Sequence, residues 1–358
     1  MSAKGAVKVI GCGLIGTSIA LRLKEEGFDV LLVDKNQEHE KLASDLLGGS
    51  AIGLKNGQFR VILIATPIEH IFQTASSEFA SNPKAIFIEV GGLKSELHRQ
   101  VESISALSKN LISVHPMAGR EKSGPTAARS DLFESRAWII SRNSGTSDEA
   151  LELGYEFGRL MGASIYELPP IDHDEIMASI SHLPQILSSA LAANLGGENA
   201  KFLNLSGQGL RDVTRLADSD PALWAGLLAG NSNSVNIKLD EVINRLINLR
   251  GAIADKNIGA LESFFRAGRD GRKLIPGKHG AVARDYTYLP IVIEDKAGEL
   301  ARIINECAKI SVNIEDLTIE HSPGQQSGLI TLALSESDAV KLQKHLIAKG
   351  WLAHAPRK

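Results

Sequence analysis

The sequence predicts an α/β protein of three successive domains, and three observations support this prediction. In residues 1–170 short apolar strands alternate with helical patterns, which is typical of a parallel, doubly wound sheet. Residues 171–268 are almost wholly helical in pattern, and residues 286–358 have the order β-α-β-β-α-β of a ferredoxin-like domain. Residues 269–285, rich in basic residues and glycine, are predicted to be the linker before this last domain.

Composition excludes several classes of partner. The chain has 358 residues, of which 43% are hydrophobic and 23% charged, as in ordinary globular proteins. A net charge of −3 gives no electrostatic reason to expect nucleic acid or an anionic membrane as a partner. Cys12 and Cys307 are far apart and suggest neither a disulfide framework nor a metal site. No signal-type segment or membrane-spanning apolar run is apparent, so we expect a cytoplasmic protein.

The N-terminal stretch has the strand–turn–helix–strand order of a dinucleotide-binding unit. The β-type run Val7–Ile10 is followed directly by Gly11-Cys12-Gly13-Leu14-Ile15-Gly16. A helical pattern continues to Gly27, and a second strand, Phe28–Val33, ends at Asp34. In a Rossmann-type domain the first glycine permits a tight turn, the second lets a pyrophosphate approach the backbone, and the third allows close helix–strand packing.

Asp34 favours NAD over NADP as the cofactor. It lies eighteen residues beyond Gly16, where a carboxylate suits the adenosine ribose hydroxyls and repels a 2′-phosphate. A glycine turn without a ligand is the alternative interpretation. The predicted cofactor-binding residues are Gly11, Gly13, Leu14, Ile15, Gly16, Asp34, Thr66 and Pro67.

The rest of the first domain is predicted from further apolar runs. The expected strands are Val61–Ala65, Ala85–Val90, Leu111–Val114, Ala137–Ser141 and Ser164–Leu168. Helical patterns between them include Ile68–Ala80 and Asp148–Met161, and Pro169-Pro170 is expected to end the domain.

His115 is the leading candidate for a catalytic residue. It follows the strand Leu111–Val114, and Pro116 after it is expected to end the strand ladder and turn the chain outward. Ligands of open α/β sheets bind at the carboxyl ends of the strands, where a histidine can accept a proton. A structural histidine at a strand end is the alternative. If His115 must be neutral, activity should rise with pH through its pKa.

The helical stretch contains a second histidine and an apolar stripe. We expect a helix capped by Asp172 and kinked by Pro184, with His182 at the kink. A later stripe, suited to a partner helix and hence to a homodimer interface, consists of Val235, Leu239, Val242, Leu246, Leu249 and Ile253.

Taken together, these motifs resemble the prephenate/arogenate dehydrogenases of tyrosine biosynthesis, in their form with a C-terminal ACT domain. Beside the glycine motif, the resemblance rests on four blocks: His115-Pro116-Met117-Ala118-Gly119, Ser181-His182-Leu183-Pro184, Gly207-Gln208-Gly209-Leu210-Arg211-Asp212-Val213-Thr214-Arg215, and Asp295-Lys296-Ala297-Gly298-Glu299-Leu300. The histidine and arginine blocks in this order are more specific than the glycine motif.

The resemblance implies oxidative decarboxylation of prephenate or arogenate with NAD. His115, Arg215 and His182 would be catalytic, with His115 accepting from the ring hydroxyl and Arg215 binding a carboxylate. The implied substrate-binding residues are Glu121, Asp212, Ser219 and Trp224. The resemblance also implies that an amino acid, expected to be tyrosine, binds the ACT domain at the loop after Asp295 and at Val312-Asn313-Ile314.

One departure from the family pattern leaves alternatives open. The family usually has aspartate and then Gly-Ser-x-Lys after the fourth strand, whereas this chain has Glu89-Val90-Gly91-Gly92-Leu93-Lys94. Gly92 has no hydroxyl to join His115 at the reactive group. A different Rossmann 3-hydroxyacid-type dehydrogenase and a non-catalytic sensor of nucleotide and amino acid are the competing hypotheses. The remaining histidines, including His173, are predicted to be surface or packing residues.

Overall fold

The computed structural model describes residues 5–51, 53, 58–119, 124–275, 286–294, 296–321 and 327–357. The chain divides into two compact units, residues 1–248 and 249–358, which are described separately.

The first unit is built on a seven-stranded sheet with the strand order β2-β1-β3-β4-β5-β6-β7. The strands are β1 (Ala6–Ile10), β2 (Asp29–Val33), β3 (Phe59–Ile64), β4 (Ile86–Glu89), β5 (Leu111–Pro116), β6 (Ala137–Ser141) and β7 (Ser164–Glu167). Strands β1 to β5 are parallel, so their carboxyl ends lie at one edge of the sheet.

The prediction of an all-parallel sheet is wrong for its last two strands. β6 pairs antiparallel with β5, and β7 runs parallel to β6. A parallel connection needs a long crossover, usually a helix. Between β5 and β6 the described residues contain only a short 3₁₀ turn, Pro125–Ala127, and the Met117 N–H donates to the carbonyl of Ala137. Pro116 pairs with Trp138 and is the last residue of β5. The ladder therefore ends at the proline and includes it.

Helices cover both faces of this sheet. They are α1 (Leu14–Glu25), α2 (Gln37–Leu46), α3 (Ile68–Ser81), α4 (Ser95–Val101), α5 (Ser105–Asn110) and α6 (Asp148–Leu160). Successive residues of a strand face opposite sides, and in β3 Val61 and Leu63 belong to one buried cluster while Ile62 and Ile64 belong to another. The first cluster includes buried residues of α1 and α6, and the second those of α3 and α4, as in a doubly wound domain.

A helical segment follows the sheet and begins at Pro170, two residues before the predicted cap Asp172. Proline is favoured at a first helical position because its missing N–H is not needed there. The elements are α7 (Pro170–Met177), a π turn (Ala178–His182), α8 (Leu183–Asn194), α9 (Ala200–Leu203), α10 (Gln208–Thr214), a 3₁₀ turn (Arg215–Asp218), α11 (Pro221–Gly230) and α12 (Ser232–Ala254). The helical irregularity predicted next to Pro184 is therefore present, as a π turn that ends at His182.

The run from Pro170 to Gly197 is long and apolar enough to cross a membrane by length and composition alone. This differs from the expectation that no apolar run is long enough to span a membrane. Its buried polar residues make hydrogen bonds inside the first unit, among them His173, Asp174 and Gln185, so we interpret it as a helix of a globular domain.

Helix α12 carries the predicted stripe, of which two residues are exposed, three half-buried and one buried. Among its residues Val235 is buried, whereas Leu246 is 49% exposed and Ile253 is 58% exposed. The next helix, α13 (Ile258–Lys273), continues beyond Arg269, so the first residues of the predicted linker are helical.

The C-terminal part has the predicted β-α-β-β-α-β order. Its elements are β8 (Thr287–Glu294), α14 (Glu299–Lys309), β9 (Asp316–His321), β10 (Ser327–Leu334), α15 (Glu336–Ala348) and β11 (Leu352–Ala353). The strands form an antiparallel sheet in the order β11-β8-β10-β9, and both helices contribute to its apolar cluster through Ile303, Leu342 and Leu346.

Candidate active site

The loop between β1 and α1 has the geometry that its glycines predict. Gly11 has a φ of +101°, and a Cβ there would lie 2.5 Å from the carbonyl oxygen of Ala65. A Cβ on Gly16 would lie 2.0 Å from the carbonyl oxygen of Gly11, so the helix and the loop are in direct backbone contact. Gly13, at the N-terminus of α1, has no atom within 4 Å of its Cβ position, which leaves its backbone open to a phosphate.

Two further polar groups at this edge fit a dinucleotide. Asp34 follows β2 and accepts a hydrogen bond from the Cys12 N–H at 2.6 Å, so its carboxylate lies against the glycine loop. Thr66, after β3, has a buried hydroxyl without a hydrogen-bond partner among the described residues. A buried polar atom without a protein partner is expected where a ligand binds. The loop, Asp34 and Thr66 together suit a cofactor with a pyrophosphate and a ribose.

His115 lies near the end of β5 and belongs to a chain of three side chains. Its Nδ1 is 2.9 Å from Nε2 of His173, and Nδ1 of His173 is 2.8 Å from Oδ1 of Asp174. His173 is fully buried in α7. The prediction that His173 is a mere surface or packing residue is therefore wrong, because it contacts the candidate catalytic histidine directly.

A buried lysine supports the same strand end. The Lys94 ammonium donates to Glu89 Oε1 at 2.6 Å and to the carbonyl oxygens of Gly91 at 2.8 Å and Val114 at 2.9 Å. All three hydrogens of the ammonium thus have acceptors, and one of these acceptors belongs to the residue before His115. Lys94 and Glu89 are both fully buried, so this ion pair ties the end of β4 to the end of β5.

The surroundings keep His115 neutral. Burial lowers the pKa of His115 well below its usual value, and the positive charge of Lys94 lowers it further. Burial also lowers the pKa of His173 and that of His182. Burial would raise the pKa of Asp174, but hydrogen bonds from His173 and Ser95 outweigh it and hold this pKa below its usual value.

Gly92 lies beside Nε2 of His115, the ring nitrogen that faces away from His173. A Cβ at position 92 would be 3.9 Å from Nε2 of His115 and 2.8 Å from Cδ2 of Leu227 in α11. The leucine therefore occupies space next to the place where a serine side chain would begin. Where the family usually has serine, this chain therefore has a glycine next to the apolar side chain of Leu227.

His182 is buried at the end of the π turn and is held by Asn231. The amide Nδ2 of Asn231 lies 3.3 Å from Nδ1 of His182 and donates to the backbone carbonyl of Asp174 at 2.7 Å. The ring of Trp224 meets that of His182 edge to face, with centroids 6.0 Å apart. The structure thus brings together His182 and Trp224, two residues singled out from the sequence.

The other predicted substrate residues lie on α10 and the turn after it. Arg215 and Asp212 are exposed, and Asp212 accepts a hydrogen bond from Gln208 at 2.7 Å. Gln185, three residues beyond His182, donates to the carbonyl of Leu216 at 2.8 Å and accepts from the Ser219 hydroxyl at 3.5 Å. These contacts place the Arg215 turn beside α8. Glu121 lies outside the described residues.

Sequence reasoning missed several residues that support His115, His182 or the Arg215 turn. They are Glu89, Lys94, His173, Asp174, Gln185, Leu227 and Asn231. His173 and Asp174 directly follow the helix start at Pro169-Pro170, and this position after the last strand was the available signal. Lys94 ends the family block that contains Gly92, yet sequence alone did not indicate that its charge would be buried.

Comparison with known proteins identifies the family. Residues 19–167 match the model of the prephenate dehydrogenase nucleotide-binding domain, and residues 169–267 match that of the prephenate dehydrogenase dimerization domain. The chain belongs to the prephenate dehydrogenase family. The resemblance to the prephenate dehydrogenases is confirmed for residues 19–267, and so is the expectation of an NAD-dependent dehydrogenase at the level of the family; the ACT domain stays a prediction.

Individual relatives agree with this family. The probable prephenate dehydrogenase NovF of Streptomyces niveus is 27% identical over 97% of this chain and 99% of that protein. The structure of Synechocystis arogenate dehydrogenase has a TM-score of 0.61 and 26% identity, covering 75% of this chain and 98% of that chain. Aquifex aeolicus prephenate dehydrogenase, in complex with hydroxyphenyl propionate and NAD+, has the same fold, with a TM-score of 0.68, 24% identity and coverages of 75% and 97%.

Proposed function

We propose that this member of the family oxidises and decarboxylates prephenate, or arogenate, with NAD in tyrosine biosynthesis. The observation that carries the proposal is the position of His115. It lies near the carboxyl end of β5, at the same sheet edge as the glycine loop after β1, because these strands are parallel. An acceptor for a substrate proton and a cradle for a dinucleotide therefore share one edge.

The residues of the first unit would hold the cofactor in a defined way. The backbone of Gly11, Gly13 and the first turn of α1 would bind the pyrophosphate, with Leu14, Ile15 and Gly16 forming that turn. Asp34 would bind the ribose hydroxyls, and Thr66 and Pro67 would contact the nicotinamide half. When bound, NAD supplies the acceptor for the hydride that leaves ring C4.

The protein side chains perform the proton chemistry. Neutral His115 accepts the proton of the 4-hydroxyl at Nε2 while the C4–H bond breaks and C4 becomes a carbonyl. The bond to the ring carboxylate then breaks, CO2 leaves, and its electron pair makes the ring aromatic. The proton returns from His115 to the phenolate oxygen. A positioned base of this kind contributes typically about 10²–10⁴-fold to the rate.

Binding of the substrate carboxylates is assigned to the helical segment. Arg215 would hold a carboxylate in the fork geometry of its guanidinium, and His182 would line the pocket. Asp212, Ser219 and Trp224 would lie near the substrate, and Glu121 would lie near its side-chain end. The exposed turn that carries Arg215 is compatible with a pocket completed on ligand binding.

We propose further that the protein is a homodimer and that residues 286–358 form an ACT domain. The family description of residues 169–267 as a dimerization domain and the exposed apolar residues of α12 support the dimer. The β-α-β-β-α-β order supports the ACT domain, with tyrosine as its effector near Val312-Asn313-Ile314. We also propose that the first domain ends at residue 170, that the helical domain ends at residue 268, and that the protein is cytoplasmic.

The test of the function compares the wild-type protein with His115→Asn. The wild type should form NADH and CO2 in equal amounts from prephenate or arogenate, and the variant should lose turnover by at least ~10²-fold. NAD binding, measured by fluorescence, should survive, since His115 is outside the glycine loop. Unchanged turnover in the variant would remove His115 from the mechanism.

Absence of any tyrosine effect on activity or melting temperature would contradict the proposed effector.

A further inference from the structure

The starting point is the Asp174 carboxylate, whose hydrogen-bond roles are fixed by the backbone. Its Oδ1 accepts from the Lys94 N–H at 3.0 Å, and its Oδ2 accepts from the Ser95 N–H at 2.9 Å. A backbone N–H can only donate, so both oxygens of Asp174 act as acceptors. Lys94 and Ser95, at the start of α4, thereby hold the carboxylate of this α7 residue, and these hydrogen bonds keep its pKa below the usual value.

This carboxylate determines where the protons of two neighbouring rings lie. Nδ1 of His173 is 2.8 Å from Oδ1 of Asp174 and must donate to it. A neutral His173 then has a bare Nε2, which lies 2.9 Å from Nδ1 of His115 and accepts a hydrogen bond from the Nδ1–H of that ring. Neutral His115 is left with its lone pair on Nε2. That nitrogen is the one nearest Gly92.

An independent contact sets the opposite tautomer on His182. The backbone carbonyl of Asp174 can only accept, so the Asn231 atom 2.7 Å from it is the amide nitrogen. The same nitrogen lies 3.3 Å from Nδ1 of His182 and donates its second hydrogen there. Neutral His182 therefore carries its proton on Nε2.

We propose that Asp174 is a positioning residue that makes His115 an acceptor and His182 a donor, through His173 and Asn231 respectively. It touches no substrate and acts through the two rings. The arrangement fits a substrate that presents a hydroxyl to His115 and an oxygen acceptor, such as a carboxylate or keto group, to His182. The role of Asp174 in catalysis rests on the proposed function, whereas the assignment of the two tautomers does not depend on it.

The hydrogen-bonded side chains of Asp174, His173 and His115 also stabilise the positive charge that forms on His115 during the proposed reaction. When His115 takes a proton at Nε2, its Nδ1–H still donates to His173, and the Asp174 charge lies one ring away. A buried carboxylate behind a catalytic imidazole orients it and stabilises the imidazolium, as in hydrolytic triads. Here a second histidine is interposed between the carboxylate and the acting ring.

The decisive experiment reads the tautomers directly in the wild-type protein. In ¹⁵N NMR spectra of the histidine-labelled full chain without substrate, His115 should show a protonated Nδ1 and a bare Nε2, and His182 the reverse. His115→Asn and His182→Asn assign the signals by their loss. A proton on Nε2 of His115 in the wild type would overturn the proposal without any folding concern.

A variant tests the catalytic consequence. Asp174→Leu is close in shape but has no acceptor oxygen, so nothing then holds the Nδ1–H of His173, and the tautomers of His173 and His115 are no longer fixed. With prephenate, kcat should fall by at least ~10²-fold while KM changes less than about threefold, because substrate contacts remain. His98→Asn is the matched control: His98 is also buried, but it contacts Ser113 and should leave kcat within about threefold.

The outcomes separate this proposal from the proposed function. If the wild type turns over neither substrate but shows the predicted tautomers, the function is wrong and the positioning role of Asp174 stands. If the wild type is active and Asp174→Leu keeps its kcat with the His115 tautomer unchanged, the positioning role is overturned and the function stands.

Discussion

The protonation of His115 is controlled by its neighbours, with consequences for the pH dependence of the reaction. Burial and the charge of Lys94 lower its pKa well below the usual value of a histidine. If His115 is the base, as proposed, it must be neutral, so activity should fall only when pH drops through this lowered pKa. We expect kcat/KM to lie on a plateau from pH 6.5 to 8, with the acid limb below the range of an exposed histidine.

This replaces the expectation from the sequence, which assumed an ordinary histidine whose pKa lies within the assay range. The measurement is kcat/KM for prephenate from pH 5 to 8, with protein integrity checked at each pH. An acid limb centred near 6.5 would contradict the role given to burial and Lys94.

Gly92 offers a test at the edge of the pocket. A serine hydroxyl there could reach Nε2 of His115 and the substrate, and Leu227 obstructs it only through a flexible side-chain end. We expect Gly92→Ser combined with Leu227→Ala to raise kcat/KM about two- to tenfold, the value of one hydrogen bond. Leu227→Ala alone controls for the added space. A double variant no faster than this control would contradict the prediction.

The motifs indicated the candidate catalytic residues better than the residues that support them. His115 and His182 could be singled out because each stands in a distinctive block that contains a proline. His173 and Asp174 could not, because their role depends on α7 starting at Pro170 and bringing them against β5 and α4. A sequence shows residue types at a helix start, but not which strand end that helix meets.

At the scale of elements, the loop between β1 and α1 can be tested with two of its glycines. In Gly16→Ala the added Cβ would meet the Gly11 carbonyl at 2.0 Å, so both the melting temperature and NAD affinity should fall. In Gly13→Ala the Cβ meets no protein atom, and stability should change by less than about 0.5 kcal/mol.

NAD affinity should nevertheless fall at least about tenfold in Gly13→Ala, because the methyl group lies where the pyrophosphate approaches the backbone. Differential scanning fluorimetry with and without NAD measures both effects. Equal destabilisation of the two variants, or full NAD affinity in Gly13→Ala, would contradict the assignment of this loop.

The central strands β3 to β6 were predictable to within a few residues because their apolar runs are buried on both faces of the sheet. The direction of β6 was not. An apolar run such as Ala137–Ser141 looks the same in either direction, and only the connection before it decides. Similarly, the basic residues after Arg269 suggested a linker, yet they continue the charged face of α13.

At the scale of the whole molecule, the exposed apolar residues of the helical segment predict self-association. Leu246 on α12 is 49% exposed, and burying such a side chain in an interface contributes about 1.5–3 kcal/mol. Leu246→Glu should therefore weaken the dimer more than tenfold. Leu46→Glu on α2 is a matched control, since Leu46 is 47% exposed but lies on the nucleotide-binding domain.

Analytical ultracentrifugation over a range of protein concentrations distinguishes the two variants. The wild type and Leu46→Glu should sediment as dimers under conditions where Leu246→Glu is monomeric. A monomeric wild type, or a dimeric Leu246→Glu with unchanged affinity, would contradict an interface on α12.

The most direct test of the whole account is NADH formation by the purified wild-type protein, with prephenate and with arogenate assayed side by side. The account predicts turnover of at least one of them, and the ratio of the two kcat/KM values identifies the preferred substrate. Absence of NADH with both substrates, while NAD still binds, would contradict the proposed reaction. It would favour a non-catalytic sensor, with the glycine at position 92 as the first residue to test.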